Sequence, residues 1–135
     1  MVRSNHKETI RRFLFAMFGQ GRLDDGQNML VWLNPSKQSH WFQDTEVAAQ
    51  FVEGCVNHNV YIGLGLSPEN FGPDRRCPAV DICAVPGVRL DLDIAGPQHS
   101  AKNLPGSVEE ALQVLSAMPH PPTMVVHTGH GLQAH

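Results

Sequence analysis

The spacing of apolar and polar positions changes several times along the chain, and each change marks a structural element. In residues 4–19, SNHKETIRRFLFAMFG, the side chains of Ile10, Phe13, Leu14, Met17 and Phe18 recur at three- and four-residue intervals. That period predicts an amphipathic helix, with Asn5 and Glu8 as a capping box and Gly19 as its stop. NMLVWLNP and SHWFQ are rich in β-branched and aromatic residues around a short polar turn and predict a hairpin. TEVAAQFVEGCVNHN returns to helical spacing, with Asp44 or Thr45 as cap and Val47, Ala48, Phe51, Val52 and Cys55 on one face. VYIGLGLSP is a further strand-forming run, followed by the Gly, Pro and Arg-rich loop ENFGPDRRCP, with Asp81 at a strand boundary beyond it.

From residue 88 the pattern is clearer. VRLDLDI alternates strictly. Val88, Leu90, Leu92 and Ile94 are expected to pack on helices, and Arg89, Asp91 and Asp93 to face the other way. Ser107 and Glu110 form a second capping box ahead of a stripe of Val108, Ala111, Leu112, Leu115 and Met118, which the prolines at 121 and 122 close. TMVVHTG then predicts a strand, GHG a tight turn, and LQAH the opening of a last strand. Strand, crossover helix and strand imply that the first two strands of this half are parallel neighbours. The fold class expected is α+β, an α/β sandwich with a mixed sheet. The chain ends in mid-strand, which reads as a truncated domain.

Composition narrows the function classes. The chain has 135 residues with 41% apolar content, suited to a single domain over 1–135. A net charge of -3 provides no global basic footprint, so nucleic-acid contact has to rest on local cations or bound metal. Three cysteines without a CxxC pair indicate a reduced, cytoplasmic setting, and no apolar run is long enough for a membrane span.

The carboxylates of Asp91 and Asp93 are the main chemical signal. Two residues apart on a strand, they stand roughly 7 Å apart at about 3.3 Å of rise per residue. Like charges so placed repel unless something positive lies between them, and a hard divalent cation such as Mg²⁺ or Mn²⁺, which takes oxygen ligands, satisfies that need. The alternative is a solvated strand face. His127, His130 and His135 lie close together in sequence, but their spacing is not that of a helical zinc motif. Phe13, Met17 and Trp41 are expected in the core.

Taken in order, NVYIGLGLSP, RRCPAVDICAVPGVRLDLDIAGPQHSAKNLP and PPTMVVHTGHGLQAH resemble the primase-polymerases of the archaeo-eukaryotic primase superfamily. The resemblance is to the bifunctional primase-polymerase domain of phage and mobile-element replication proteins and covers roughly residues 28–135. It implies an RRM-like palm half, incomplete at the C-terminus. It also implies that Asp91 and Asp93 are the catalytic, metal-binding acids. The family's Ser-Gly-x-Gly-x-His motif corresponds to Thr128, Gly129, His130, Gly131, Leu132 and Gln133, with Gln133 in the place of the usual His. Thr128, Gly129, His130, Gly131 and Gln133, together with His99 and Lys102, are then expected to bind the nucleotide. Arg75 and Arg76 are expected to contact nucleic acid.

The implied activity is DNA-directed nucleotidyl transfer by a two-metal mechanism. Its partners are a DNA template and primer, nucleoside triphosphates and a helicase domain, with no membrane. The family's third motif, a later acid, has no counterpart because no acidic residue follows Glu110. Weak or absent polymerisation by the chain alone is therefore expected. A non-catalytic nucleotide or single-stranded DNA binding role and a metal-dependent phosphoesterase are the alternatives.

Overall fold

Apolar β-branched runs separated by turn residues, and helical stripes behind them, build two small sheets rather than one. The computed structural model describes the backbone of residues 2–135 and the side chains of residues 6–135. The elements are α1 (Val2–Phe18), β1 (Met29–Asn34), β2 (Gln38–Phe42), α2 (Thr45–Gly54), β3 (Asn59–Ile62), a 3-10 turn at Ala79–Asp81, β4 (Leu90–Asp93), α3 (Val108–Ser116), β5 (Val125–His127) and β6 (Gly131–Ala134). The α+β class expected from the sequence is present. The single mixed sheet is not: the strands form two three-stranded sheets with antiparallel pairing throughout. The chain divides into two compact units, one ending at Pro86 and one spanning Gly87–His135.

In the first unit β1 is the central strand, in the order β2-β1-β3. Its Met29, Leu30, Val31 and Leu33 are all buried. Leu14 of α1 and Ala48 and Ala49 of α2 pack with Met29, Leu23 and Leu66 into one core, bordered by Ile10, Phe13 and Phe18. The small side chains of α2 decide which face turns inward: Thr45, Ala48 and Ala49 are buried, whereas Val47 is 52% exposed. This corrects the inward Val47 expected from spacing. Asp44 caps α2 through hydrogen bonds accepted from the Glu46 and Val47 amides. Arg11 of α1 pairs with Glu46 and, through Nε at 2.7 Å, with Glu53 of α2. The capping box at Asn5 rests on a side chain outside those described, and α1 itself begins at Val2. Asp81 ends a 3-10 turn, not a strand.

In the second unit the order is β4-β6-β5. β4 and β5 do run parallel, as the crossover through α3 requires, but they are not neighbours. β6, delivered by the hairpin from β5, lies between them and pairs antiparallel with both. Leu92, Ile94 and Val108 pack against Ala111, Leu115, Leu132 and Ala134. Val88 is exposed, as are Leu90, Leu112 and Met118, so the buried stripe is narrower than the sequence pattern. Ser107 caps α3 by accepting from the Glu110 amide at 3.2 Å, and Glu110 reaches back to the Gly106 amide at 2.7 Å, one residue before the expected partner.

Candidate functional site

The strand pairing of the second unit sets which polar residues meet. In the antiparallel register Asp91 stands opposite Gln133, and Asp93 opposite Gly131. Directly opposed residues project from the same face of a sheet. Leu92 and Leu132 point to the α3 side, so Asp91, Asp93 and Gln133 share the other face. Two sequence segments about forty residues apart are thereby joined by the ladder itself. This is the alternation expected for VRLDLDI, with the aspartate side chains 62% and 53% exposed.

The turn between β5 and β6 is built by hydrogen bonds within its own residues. Thr128 donates its amide to the Gly131 carbonyl at 3.0 Å, and its hydroxyl accepts from the Gly131 amide at 3.2 Å. Gly129 has φ of +95°, a conformation that L side chains rarely adopt. Gly131 is needed for a different reason. A Cβ there would stand 2.6 Å from the Leu92 carbonyl oxygen and 3.2 Å from the Asp93 Cα. The absent side chain lets β6 come against β4 beside Asp93.

Each carboxylate has a nitrogen neighbour. Arg89 donates from Nη2 to Asp91 Oδ1 at 3.2 Å, and His99 Nδ1 lies 3.5 Å from Asp93 Oδ2. His99, on the loop after β4, is thus brought to the aspartate face. His130 exchanges a hydrogen bond with Gln98 at 3.1 Å from its position in the turn, which ties that turn to the same loop. His127 accepts the Gly129 amide on Nδ1 at 3.2 Å and serves the turn. Lys102 is exposed on the loop between β4 and α3.

His135, considered in the sequence only with His127 and His130 as a zinc ligand, lies on the aspartate face by alternation from Gln133. Burial lowers its pKa, Arg89 lowers it further, and Asp91 acts in the opposite direction. The signal available in the sequence was the two-residue step from Gln133 to His135.

The chain matches no protein-family model, no curated protein and no solved structure. The site therefore rests on its own geometry. Among the described residues no group of three or more His, Cys, Asp or Glu side chains is arranged to hold a metal ion. Two carboxylates are what β4 presents, and His127, His130 and His135 do not assemble into a zinc set. No helix among the described residues is long and apolar enough to cross a membrane.

Arg75 and Arg76 belong to the first unit, away in sequence from the aspartate strand. Arg75 lies over the Phe71 ring, 5.8 Å from its centroid, and Arg76 over Trp32 at 5.4 Å. Both line a cavity of about 610 Å³ together with Trp41, so Trp41 is a half-buried wall residue in place of the expected core residue.

Proposed function

We propose that the chain carries the metal- and nucleotide-holding part of a DNA-directed nucleotidyltransferase of primase-polymerase type, using Mg²⁺ or Mn²⁺. The observation that carries this reading is the register Asp91↔Gln133 and Asp93↔Gly131, which places the carboxylate pair and the glycine turn side by side. The finer fold assignment, an RRM-like palm half, belongs to the same proposal. It is supported by the split β-α-β arrangement in which β6 separates the parallel β4 and β5.

The donor chemistry fits a hard divalent cation. Asp91 and Asp93 would hold it through oxygen ligands on a solvent-open face, which suits an ion that keeps several of its waters. When bound, the metal supplies charge to an attacking hydroxyl oxygen and to the leaving pyrophosphate. The chain's own groups do the rest. Asp91 and Asp93 hold that charge in place. Gln133, opposite Asp91, offers an amide N–H to a phosphate oxygen, and Arg89 counters the Asp91 carboxylate until a ligand arrives, while the His99 ring stands beside Asp93. At the exposed turn the Gly129–His130 peptide is approachable, since no side chain of Gly129 stands in the way of a phosphate there. A template, a primer and an associated helicase are the partners of this reading.

Calorimetric titration of a deoxynucleoside triphosphate in Mn²⁺ and in EDTA tests it. Binding should require Mn²⁺ and weaken by at least about tenfold in Asp91→Ala/Asp93→Ala, as expected on removing both carboxylate ligands of a bound ion. Equal affinity in the double variant, or binding indifferent to Mn²⁺, would overturn the proposal.

A further inference from the structure

The cavity of the first unit has a chemistry separate from the aspartate face. Apolar Leu30 and Ile82 line it together with Arg75 and Arg76. No acidic side chain lines it, and neither arginine is in an ion pair with a carboxylate among the described residues. In a chain of net charge -3, Arg75 and Arg76 are the adjacent basic pair, among the described residues, in which neither member has a carboxylate partner.

They are also held in place. The loop that bears them is fastened to β2 by the Ser39 amide, which donates to the Pro73 carbonyl at 2.7 Å, and by Trp41 Nε1, which donates to the Gly72 carbonyl at 2.8 Å. The aromatic faces of Phe71 and Trp32 support the two guanidinium planes. Next in sequence to the lining residues Gly65 and Ile82, the Leu66 amide donates to the Ala84 carbonyl at 2.8 Å and the Cys83 amide to the Leu66 carbonyl at 3.0 Å. Guanidinium donors beside an apolar lining that includes the Trp41 indole suit a ligand with an aromatic body and an anionic end.

We propose that this cavity binds a small phosphorylated aromatic molecule, of the nucleoside monophosphate class, with its ring against Trp41 and its phosphate between Arg75 and Arg76. A terminal monoester carries close to two charges near neutral pH and exposes three oxygens, which matches two adjacent forks of donors. A phosphodiester within a strand offers one charge and two free oxygens, a poorer match to this doubly cationic pair. The site thus differs from the strand contact first expected of these arginines, and it needs no divalent metal.

The test uses the whole chain in EDTA, which disables metal-dependent binding at the aspartates, with adenosine monophosphate as the probe. The readout is quenching of fluorescence from the chain's two tryptophans. Saturable quenching is expected, with adenosine and inorganic phosphate each at least about tenfold weaker, since each engages only half of the site. Arg75→Gln/Arg76→Gln should weaken binding by at least a similar factor, while Asp91→Ala/Asp93→Ala should leave it unchanged. Both arginines are exposed, so the fold should survive, and circular dichroism checks it. Should the Gln variant misfold, Arg75→Lys/Arg76→Lys, which keeps charge and loses the forks, serves with the same expected direction. Absence of saturable binding, equal affinity in a folded arginine variant, or loss in the aspartate variant would overturn the proposal. So would tighter arginine-dependent binding of a single-stranded oligonucleotide lacking terminal phosphates.

Discussion

The two units solve the same packing problem with very different amounts of apolar surface. The first buries a central strand nearly whole, backs it with two helices, and draws in Leu14, Leu23 and Leu66 from outside the sheet. The second has four buried apolar residues, Ala111 and Leu115 of its single helix and Leu132 and Ala134 of β6. What the second lacks in core it carries as polar surface: the face of β4 and β6 away from α3 holds two aspartates, an arginine and a glutamine, with a partly buried histidine among them. A sheet covered on one side only has a free face on which charged groups stay solvated at little cost, whereas the same carboxylates buried in a core would carry a heavy desolvation penalty. The smaller core and the candidate chemistry are two consequences of one arrangement.

The sharpest way to break this contrast is to cut each core. Leu115→Ala should destabilise the second unit by about 2–5 kcal/mol, the usual cost of removing a buried leucine. With so few buried neighbours to share the loss, amide exchange of β6 should rise sharply. Leu14→Ala carries a comparable cost in the first unit, where exchange in β1 should remain measurably slower than in β6 of the Leu115 variant. Equal exchange would mean the cores are less different than their burial indicates.

Gly131→Ala should have the next largest effect. Its Cβ would meet the Leu92 carbonyl at 2.6 Å, so β6 has to move from β4, costing about 1–3 kcal/mol as overpacking typically does. Loss of the Asp91–Gln133 and Asp93–Gly131 cross-strand contacts in NMR spectra should accompany it. Preserved contacts would show that close approach is not what requires glycine there.

A smaller effect is expected from His135. Its folded-state pKa lies below the ordinary 6.5, chiefly through burial. The unfolded chain therefore takes up a proton first as pH falls, so the unit's stability is complete above about 6.5 and declines below it until the folded-state pKa is reached. His135→Gln should flatten that slope. Melting temperatures measured from pH 7.5 down to about 5 check the sign, and an unchanged slope would remove His135 from the account.

Much of the local structure was legible. The hairpin of β1 and β2 follows from apolar runs around a polar turn, and the Asp44 and Ser107 caps are where short polar side chains precede helical spacing. Three things were not. Val47 carries more apolar weight than Ala48 or Ala49, but small residues let α1 and α2 approach closely, and proximity rather than hydropathy chose the face. The neighbours of β4 were misassigned because a β-α-β pattern gives relative direction without saying whether a third strand inserts. The pairing of His99 with Asp93 had no periodic signal, because it arises from how the loop folds back. The aspartate face itself was readable from strict alternation in VRLDLDI; its junction with Gln133 depended on a register that only the folded sheet supplies.

The central claim is that this register makes one metal-binding face from two distant segments. Paramagnetic broadening of amide signals by Mn²⁺ tests it most directly, since broadening falls off steeply with distance from the ion. The account predicts selective loss of signals from Asp91, Asp93, Gly131 and Gln133 at low Mn²⁺ occupancy, while Val31 and Leu33 in the first unit's core remain sharp. Broadening centred on another acidic cluster, or uniform weak broadening with none focused on β4 and β6, would contradict it.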